Sequence, residues 1–387
     1  MPDKIRIWNE LKSRWNKIIC TKENIAHALA LVSGVTGKNV NLPILNNVLI
    51  KAYEQKVEII ATNLELAIVV SVRAKIEEPG SFTVPARTLL DFVNLLPNEK
   101  IDFTLRENEL LITCGKSSTK IKGTSAEDYP IIPSLEQGKG FLVDSQEFKR
   151  GLIQVLPAVA KNDIRPELAG VFCGFNNEGD QMMTLAATDS YRLAEKKISL
   201  KQGGDSIQII IPGRSAQEFN HLLSETGEEE KQARILVSDN QIMVSYGSAQ
   251  IISRLVEGSY PDYKQIIPKD FVSTATVDTT NIIKEMKASG LFTTSGVNAV
   301  SLILRPEVGT IGVSSVSTQT GEYSSELTAD IQGVGATLLL NNRYILDGIN
   351  SFDTAETQIK IINADSPCVF LPKNDTSYLY IVMPIRQ

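Results

Sequence analysis

A strand-into-helix phrase occurs three times in this chain, at intervals of 127 and 129 residues. It reads FTVPARTLLDFVNLLP around Arg87, IIIPGRSAQEFNHLLSE around Arg214 and LLLNNRYILDGINSF around Arg343. The interval is far longer than a solenoid unit and has the size of a whole domain. Val84-Pro85 and Ile211-Pro212 stop a β run in two copies, and Asn341-Asn342 does so in the third. Apolar residues follow at helical spacing: Leu89, Phe92, Val93 and Leu96; then Phe219, Leu222 and Leu223; then Ile345, Leu346, Ile349 and Phe352. Copy one closes in AEDYPIIPS, copy two in SYPDYKQIIP, and copy three runs out in YLYIVMPIRQ. One such pair would be ordinary among strand-turn-helix units. Several features in the same order at one period point to a triplicated domain, with bounds expected at 15–138, 139–269 and 270–387 after an extension over 1–14.

Between these landmarks the pattern is mostly β. Runs such as QKVEIIATN, KIDFTLREN, ELLITCG, QIMVSYG and TQIKIINAD are punctuated by Gly, Asn, Asp or Pro at hairpin rhythm. Each third adds a helix near its start: ENIAHALALVSG, SQEFKRGLIQVL and NIIKEMKASGLF. Two helices with about eight strands per third predict an α+β domain, with antiparallel sheets and helices on one face. The order is not alternating βαβ, which argues against a Rossmann-type sheet. A chain of 387 residues, 42% hydrophobic and 22% charged, is long enough for about three such domains. No apolar run approaches the roughly 20 residues that cross a bilayer, and MPDKIRIWNELK lacks a signal-peptide core. A cytoplasmic protein with no membrane partner is expected. Cys20, Cys114, Cys173 and Cys368 are too scattered for a zinc site or a disulfide framework.

Catalytic chemistry is hard to find. His27 and His221 each fall in an amphipathic helix pattern, where a lone histidine is usually a packing or surface residue. GVTGKN lacks the spacing of a phosphate-binding loop, and neither G-x-G-x-x-G after a strand nor H-E-x-x-H is present. A hydrolase or nuclease on a similar scaffold would need a metal or acid–base cluster that these residues do not supply. No cofactor is expected.

The charge pattern conflicts with simple nucleic-acid binding. With 45 acidic and 39 basic residues, the net charge of -6 requires any contact with DNA to be local. Basic residues gather on helix-like segments at Lys149, Arg150 and Lys161, and at Lys284 and Lys287, with Lys38 in a loop. Taken alone, these read as ordinary solvated faces. The segment TLAATDSYRLAEKKISL reads as a hairpin in which Thr188, Asp189 and Ser190 close the turn. Tyr191, Arg192 and Leu193 would then project together.

A-T-D-S-Y-R-L-A, S-Y-P-D-Y-K and the terminal V-M-P-I-R closely resemble the matching segments of the bacterial sliding clamp family, the beta subunit of DNA polymerase III. NLPILNNVLI and TVPARTLLDFVNLLP add to the likeness, which runs in order from about Trp15 to the end. The resemblance implies a homodimer closed head to tail into a six-domain ring that encircles double-stranded DNA without reading its sequence. Such a ring tethers the replicative polymerase, is loaded by an ATP-driven clamp loader, and receives short apolar peptides of repair and translesion polymerases. It implies DNA-facing roles for Lys149, Arg150, Lys161, Lys284, Lys287 and Lys38, and a dimer contact between Leu291 and Phe292 on one side and Ile121 on the other. Thr119 falls where an aromatic residue would strengthen that contact.

By the same resemblance, a groove between the second and third domains would use Leu168, Thr188, Ser190, Tyr191, Arg192, Leu193, Pro261, Ile266, Ile381, Val382, Met383, Pro384, Ile385 and Arg386, with Arg165 at its edge. Gln265, Ile385 and Gln387 depart from the residues common in the family there. A specialised paralogue is the alternative within the family. In the extension, Ile5, Trp8, Leu11 and Trp15 share a helical face, and the first 20 residues carry a net charge of +3.

Overall fold

The computed structural model describes residues 17–37, 41–53, 56–132, 135–162, 164–177, 179–225 and 231–386. The 1–14 extension, Lys38 and Gln387 lie outside the described residues.

Two helices fall in each repeat among the described residues: Lys22–Ser33 with Ala86–Leu95, Ser145–Val155 with Gly213–Glu225, and Thr279–Gly290 with Asn342–Ile349. Their starts follow local chemistry. Thr21, Asp278 and Asn341 each accept a first-turn N–H on a side-chain oxygen, from Asn24 at 3.4 Å, Asn281 at 2.8 Å and Arg343 at 3.0 Å. The apolar stripes turn inward as their spacing predicts. Leu89, Val93, Phe219, Leu222, Ile345 and Ile349 are all buried.

The chain packs as two compact units, and the division falls within the second repeat rather than between repeats. One unit comprises the described residues up to Gln146, with Lys201–Gly203 and Gln217–Leu255; the other comprises Glu147–Leu200, Gly204–Ala216 and the chain from Val256 on.

In the first unit, a five-stranded sheet has the order Lys75–Ile76, Ile18–Thr21, Lys100–Arg106, Glu109–Cys114, Ser117–Lys122. A second antiparallel sheet joins two repeats, because Leu66–Val72 pairs with Ala249–Arg254 in the register Leu66↔Ser253 and Val70↔Ala249. Both of these strands are mostly buried.

The second unit repeats the arrangement. Arg192–Gln202 pairs with Tyr378–Val382, placing Arg192 opposite Val382 and Leu193 opposite Ile381. The long strand Gly321–Gln332 serves two sheets, pairing with Thr310–Ser317 along its first part and with Ser273–Asp278 at its end.

Candidate partner-binding site

The hairpin expected at Thr188 to Leu193 is formed by Met182–Thr188 turning into Arg192–Gln202. Side chains close the turn. Asp189 Oδ1 accepts from the N–H groups of Tyr191 at 3.0 Å and Arg192 at 3.1 Å. Thr188 donates its hydroxyl to the Arg192 carbonyl at 2.6 Å and accepts from the Ser190 N–H at 3.1 Å. Ser190 takes a left-handed φ of 76°, and the Tyr260 hydroxyl accepts from the Thr188 N–H at 3.0 Å.

Tyr191, Arg192 and Leu193 do not project together, which corrects the expectation from sequence. Tyr191 is 63% exposed, whereas Arg192 is 4% exposed and Leu193 fully buried. From Arg192 onward successive side chains leave opposite faces of the strand. Leu193 enters a cluster with Phe172, Ala186, Tyr263, Val369 and Ile381. Arg192 turns the other way, bonding Asp189 Oδ2 through Nε at 3.0 Å and donating to Asp347 through Nη1. Its guanidinium carbon lies 4.4 Å from the Tyr344 ring centre, and the Tyr191 ring stacks on Tyr344 at 6.5 Å. Burial works against the charge, but Tyr380, Asp347 and Asp189 outweigh it and raise the pKa of Arg192 further. The guanidinium is therefore a fixed, fully charged strut.

The C-terminal segment is anchored to this hairpin. Met383 N–H donates to the Tyr191 carbonyl and Ile385 N–H to the Leu339 carbonyl, both at 2.8 Å. Ile381 and Val382 are buried, Met383, Pro384 and Ile385 half-buried, and Arg386 exposed. Leu168 is buried, Pro261 half-buried, and Ile266 40% exposed. Leu168, Leu193, Ile381 and Val382 thus form interior support. Tyr191, Ile266, Met383, Pro384, Ile385 and Arg386 offer a surface of apolar and polar groups, the composition that receives an extended peptide. Arg165 pairs with Glu167 at 2.9 Å, and Gln265 donates to Asp262 at 2.9 Å.

Three residues of this site were missed from sequence: Tyr260, Tyr344 and Asp347. The repeat held a signal for two of them. The residue after the landmark arginine is Thr88 in copy one and Ser215 in copy two, but Tyr344 in copy three. Asp347 follows it at i+3, on the same helical face.

The other expected residues divide. Lys161, Lys284 and Lys287 are exposed and Lys149 is half-buried. Arg150 is not a free cation: it pairs with Asp353 at 3.1 Å and approaches Asp375 to 3.8 Å. Buried Lys196 lies 3.8 Å from the same Asp375 and from Glu147. Leu291 is 71% exposed, and Phe292 stacks on Tyr323 with ring centres 6.0 Å apart. Ile121 is only 6% exposed, because its register opposite Leu110 turns it into the core. Among the described residues no group of three His, Cys, Asp or Glu side chains could hold a metal ion, and no helix is long and apolar enough to cross a membrane.

A triplicated α+β chain with a partly apolar exposed surface, and with no metal cluster among the described residues, has the features of a scaffold rather than of a metal-dependent catalyst. The three domain models of the DNA polymerase III beta subunit match in order, the N-terminal at residues 16–133, the central at 142–262 and the C-terminal at 264–386. The beta sliding clamp of Synechococcus elongatus is 27% identical over 376 residues, covering 96% of this chain and 99% of its own. That of Staphylococcus aureus is 28% identical over 356 residues, covering 89% and 92%. A Bacillus subtilis sliding clamp structure superposes with a TM-score of 0.90 at 24% identity, covering 97% of this chain and all of its own. A Pseudomonas aeruginosa sliding clamp bound to griselimycin gives 0.90 at 25% identity with the same coverage. This chain belongs to the bacterial sliding clamp family, the DNA polymerase III beta subunits, which are non-enzymatic processivity factors of DNA replication.

Proposed function

We propose that two copies of this chain close head to tail around double-stranded DNA in the cytoplasm, with repeats at 15–138, 139–269 and 270–387. The ring tethers the replicative polymerase by a short apolar peptide seated over Tyr191, Tyr344, Ile266 and Met383. An ATP-driven clamp loader opens the ring, and repair and translesion polymerases use the same groove. The observation that carries this reading is the Arg192 strut, which costs a buried charge yet fixes Tyr191 and Tyr344 beside the anchored C-terminal segment.

Head-to-tail closure is supported by two open sheet edges of opposite charge. Ser117–Lys122 is the last strand of its sheet, with Lys122 exposed and Lys120 3.6 Å from Glu109. Gly321–Gln332 pairs on one side along its first part, with Glu322 exposed and Glu326 paired with Arg305. Unpaired edges invite strand addition. Leu291 and Phe292 supply apolar area, whereas Ile121 stays inside its own sheet. Lys149, Lys161, Lys284 and Lys287 meet phosphates by charge alone, and Lys38 is assigned with them by resemblance.

Light scattering across a concentration series tests the ring. Two subunits per particle are expected, with dissociation when Leu291→Ala and Phe292→Ala are combined. A monomer at every concentration would remove the encircling mechanism. Griselimycin, to which the Pseudomonas aeruginosa relative has been solved bound, serves as a test ligand, and the proposal expects it to seat in the groove.

A further inference from the structure

The first unit contains a second copy of the groove's framework. Thr62 donates its hydroxyl to the Leu66 carbonyl at 2.9 Å, as Thr188 does to Arg192. Asn63 Oδ1 accepts from the N–H groups of Glu65 at 3.1 Å and Leu66 at 2.9 Å, as Asp189 does for Tyr191 and Arg192. Leu64 takes φ 78°, where Ser190 takes 76°. Leu66 stands opposite Ser253 as Arg192 stands opposite Val382, and Arg254 N–H donates to the Glu65 carbonyl at 2.9 Å as Met383 N–H does to Tyr191. Beside this turn lies a cleft of about 330 Å³, lined in part by Leu64, Leu66, Ile131, Ile252 and Arg254. That volume lies within the range of small-ligand pockets.

Two features go beyond what the turn needs in order to fold. Leu64 is 47% exposed and Ile131 81% exposed, apolar side chains at the cleft that the described chain leaves in water. A bulky residue at positive φ is a backbone outlier, and such outliers cluster at functional sites. Arg254 is exposed and pairs with no described carboxylate. The Glu65 carboxylate also lines the cleft without pairing with Arg254, and a guanidinium free of an ion pair between branched apolar walls complements a branched apolar side chain next to a carboxylate.

We propose that this cleft is a second docking site, for a short extended peptide carrying leucine or isoleucine beside aspartate or glutamate. The assignment rests on the reading of the groove as a peptide site, whose framework it shares. Glu65 stands where the groove has Tyr191, so the two sites sort peptides by different chemistry.

The test follows isoleucine δ1-methyl NMR signals of the full protein during titration with the peptide Ser-Leu-Ile-Asp-Gly-Ser. Saturable shifts at Ile131 and Ile252 are expected, weakened roughly tenfold by Arg254→Glu and by replacing the peptide's aspartate with asparagine. Tyr191→Ala should leave them unchanged. Ile266 and Ile385 report the groove independently in the same spectra. Shifts there with Ile131 and Ile252 silent would overturn the cleft and leave the groove reading intact. Shifts at Ile131 and Ile252 alone would support the cleft and count against the groove as this peptide's site. Cleft shifts abolished by Tyr191→Ala would be transmitted from the groove and would overturn the proposal.

Discussion

The guanidinium carbon of Arg192 lies 4.4 Å from the centre of the Tyr344 ring. The ring's electron-rich face helps to hold a charge that Asp189 and Asp347 also bind. Arg192→Ala should cost roughly 3 kcal/mol in urea unfolding, because two carboxylates lose their cation. Arg192→Lys should recover part of that stability but not the fork geometry. Tyr344→Ala should weaken griselimycin binding by roughly tenfold, or ~1.4 kcal/mol, while Tyr344→Phe keeps the stacking face and the affinity. Calorimetric titration of the variants reads the difference.

A cluster around Asp375 sets an acid sensitivity. Burial pushes its carboxyl up, but hydrogen bonds from Ser377 and the charges of Lys196 and Arg150 more than offset this and lower it below the ordinary 3.8. The folded value is thus below the unfolded one, so the unfolded chain binds more protons between the two. The contribution is complete above the ordinary carboxylate value and is lost as pH falls toward the folded one. Asp375→Asn should lower Tm at neutral pH, costing about 3 kcal/mol as Lys196 loses a partner. It should also flatten the dependence of Tm on pH below 3.8. An unchanged acid slope in circular dichroism melts would remove this role.

All four cysteines are buried, and desolvation pushes the Cys20 thiol up to about 12. Thiolate is the reactive form. At pH 8 a chromogenic disulfide reagent should label none of them in the native protein and all four in denaturant. Labelling in water at the global unfolding rate would agree with this burial, and a fast-reacting thiol would contradict it.

Lys284 and Lys287 lie one turn apart on the helix Thr279–Gly290, both exposed and without an ion pair to a described residue. Reversing both charges should leave the melting curve unchanged. Retention on circular DNA should become less salt-sensitive, with the slope of log affinity against log salt falling by about one for each phosphate that is no longer neutralised.

Much of the fold was legible because the chain repeats itself. Strand-stop prolines, helix caps and apolar spacing are local, and each copy checked the others. What the sequence did not reveal came mainly from long-range pairing. Ile121 lies in an alternating strand whose inward face is fixed only by its register opposite Leu110. Arg150 reads as a free helix cation until Asp353 and Asp375, far along the chain, arrive beside it. The joint exposure expected of Tyr191, Arg192 and Leu193 ignored the period-two alternation that begins as soon as the turn ends. Tyr344 was recoverable, because it is where the third copy breaks the small-hydroxyl pattern of the other two.

The pairing of Leu66–Val72 with Ala249–Arg254 has a practical consequence for cutting the molecule apart. A fragment ending at the first repeat's boundary would carry a mostly buried, apolar strand with a bare hydrogen-bonding edge, a template for self-association. The sequence repeats in thirds, but its backbone ladders cross those borders. Fragments meant to stay soluble should follow the ladders instead.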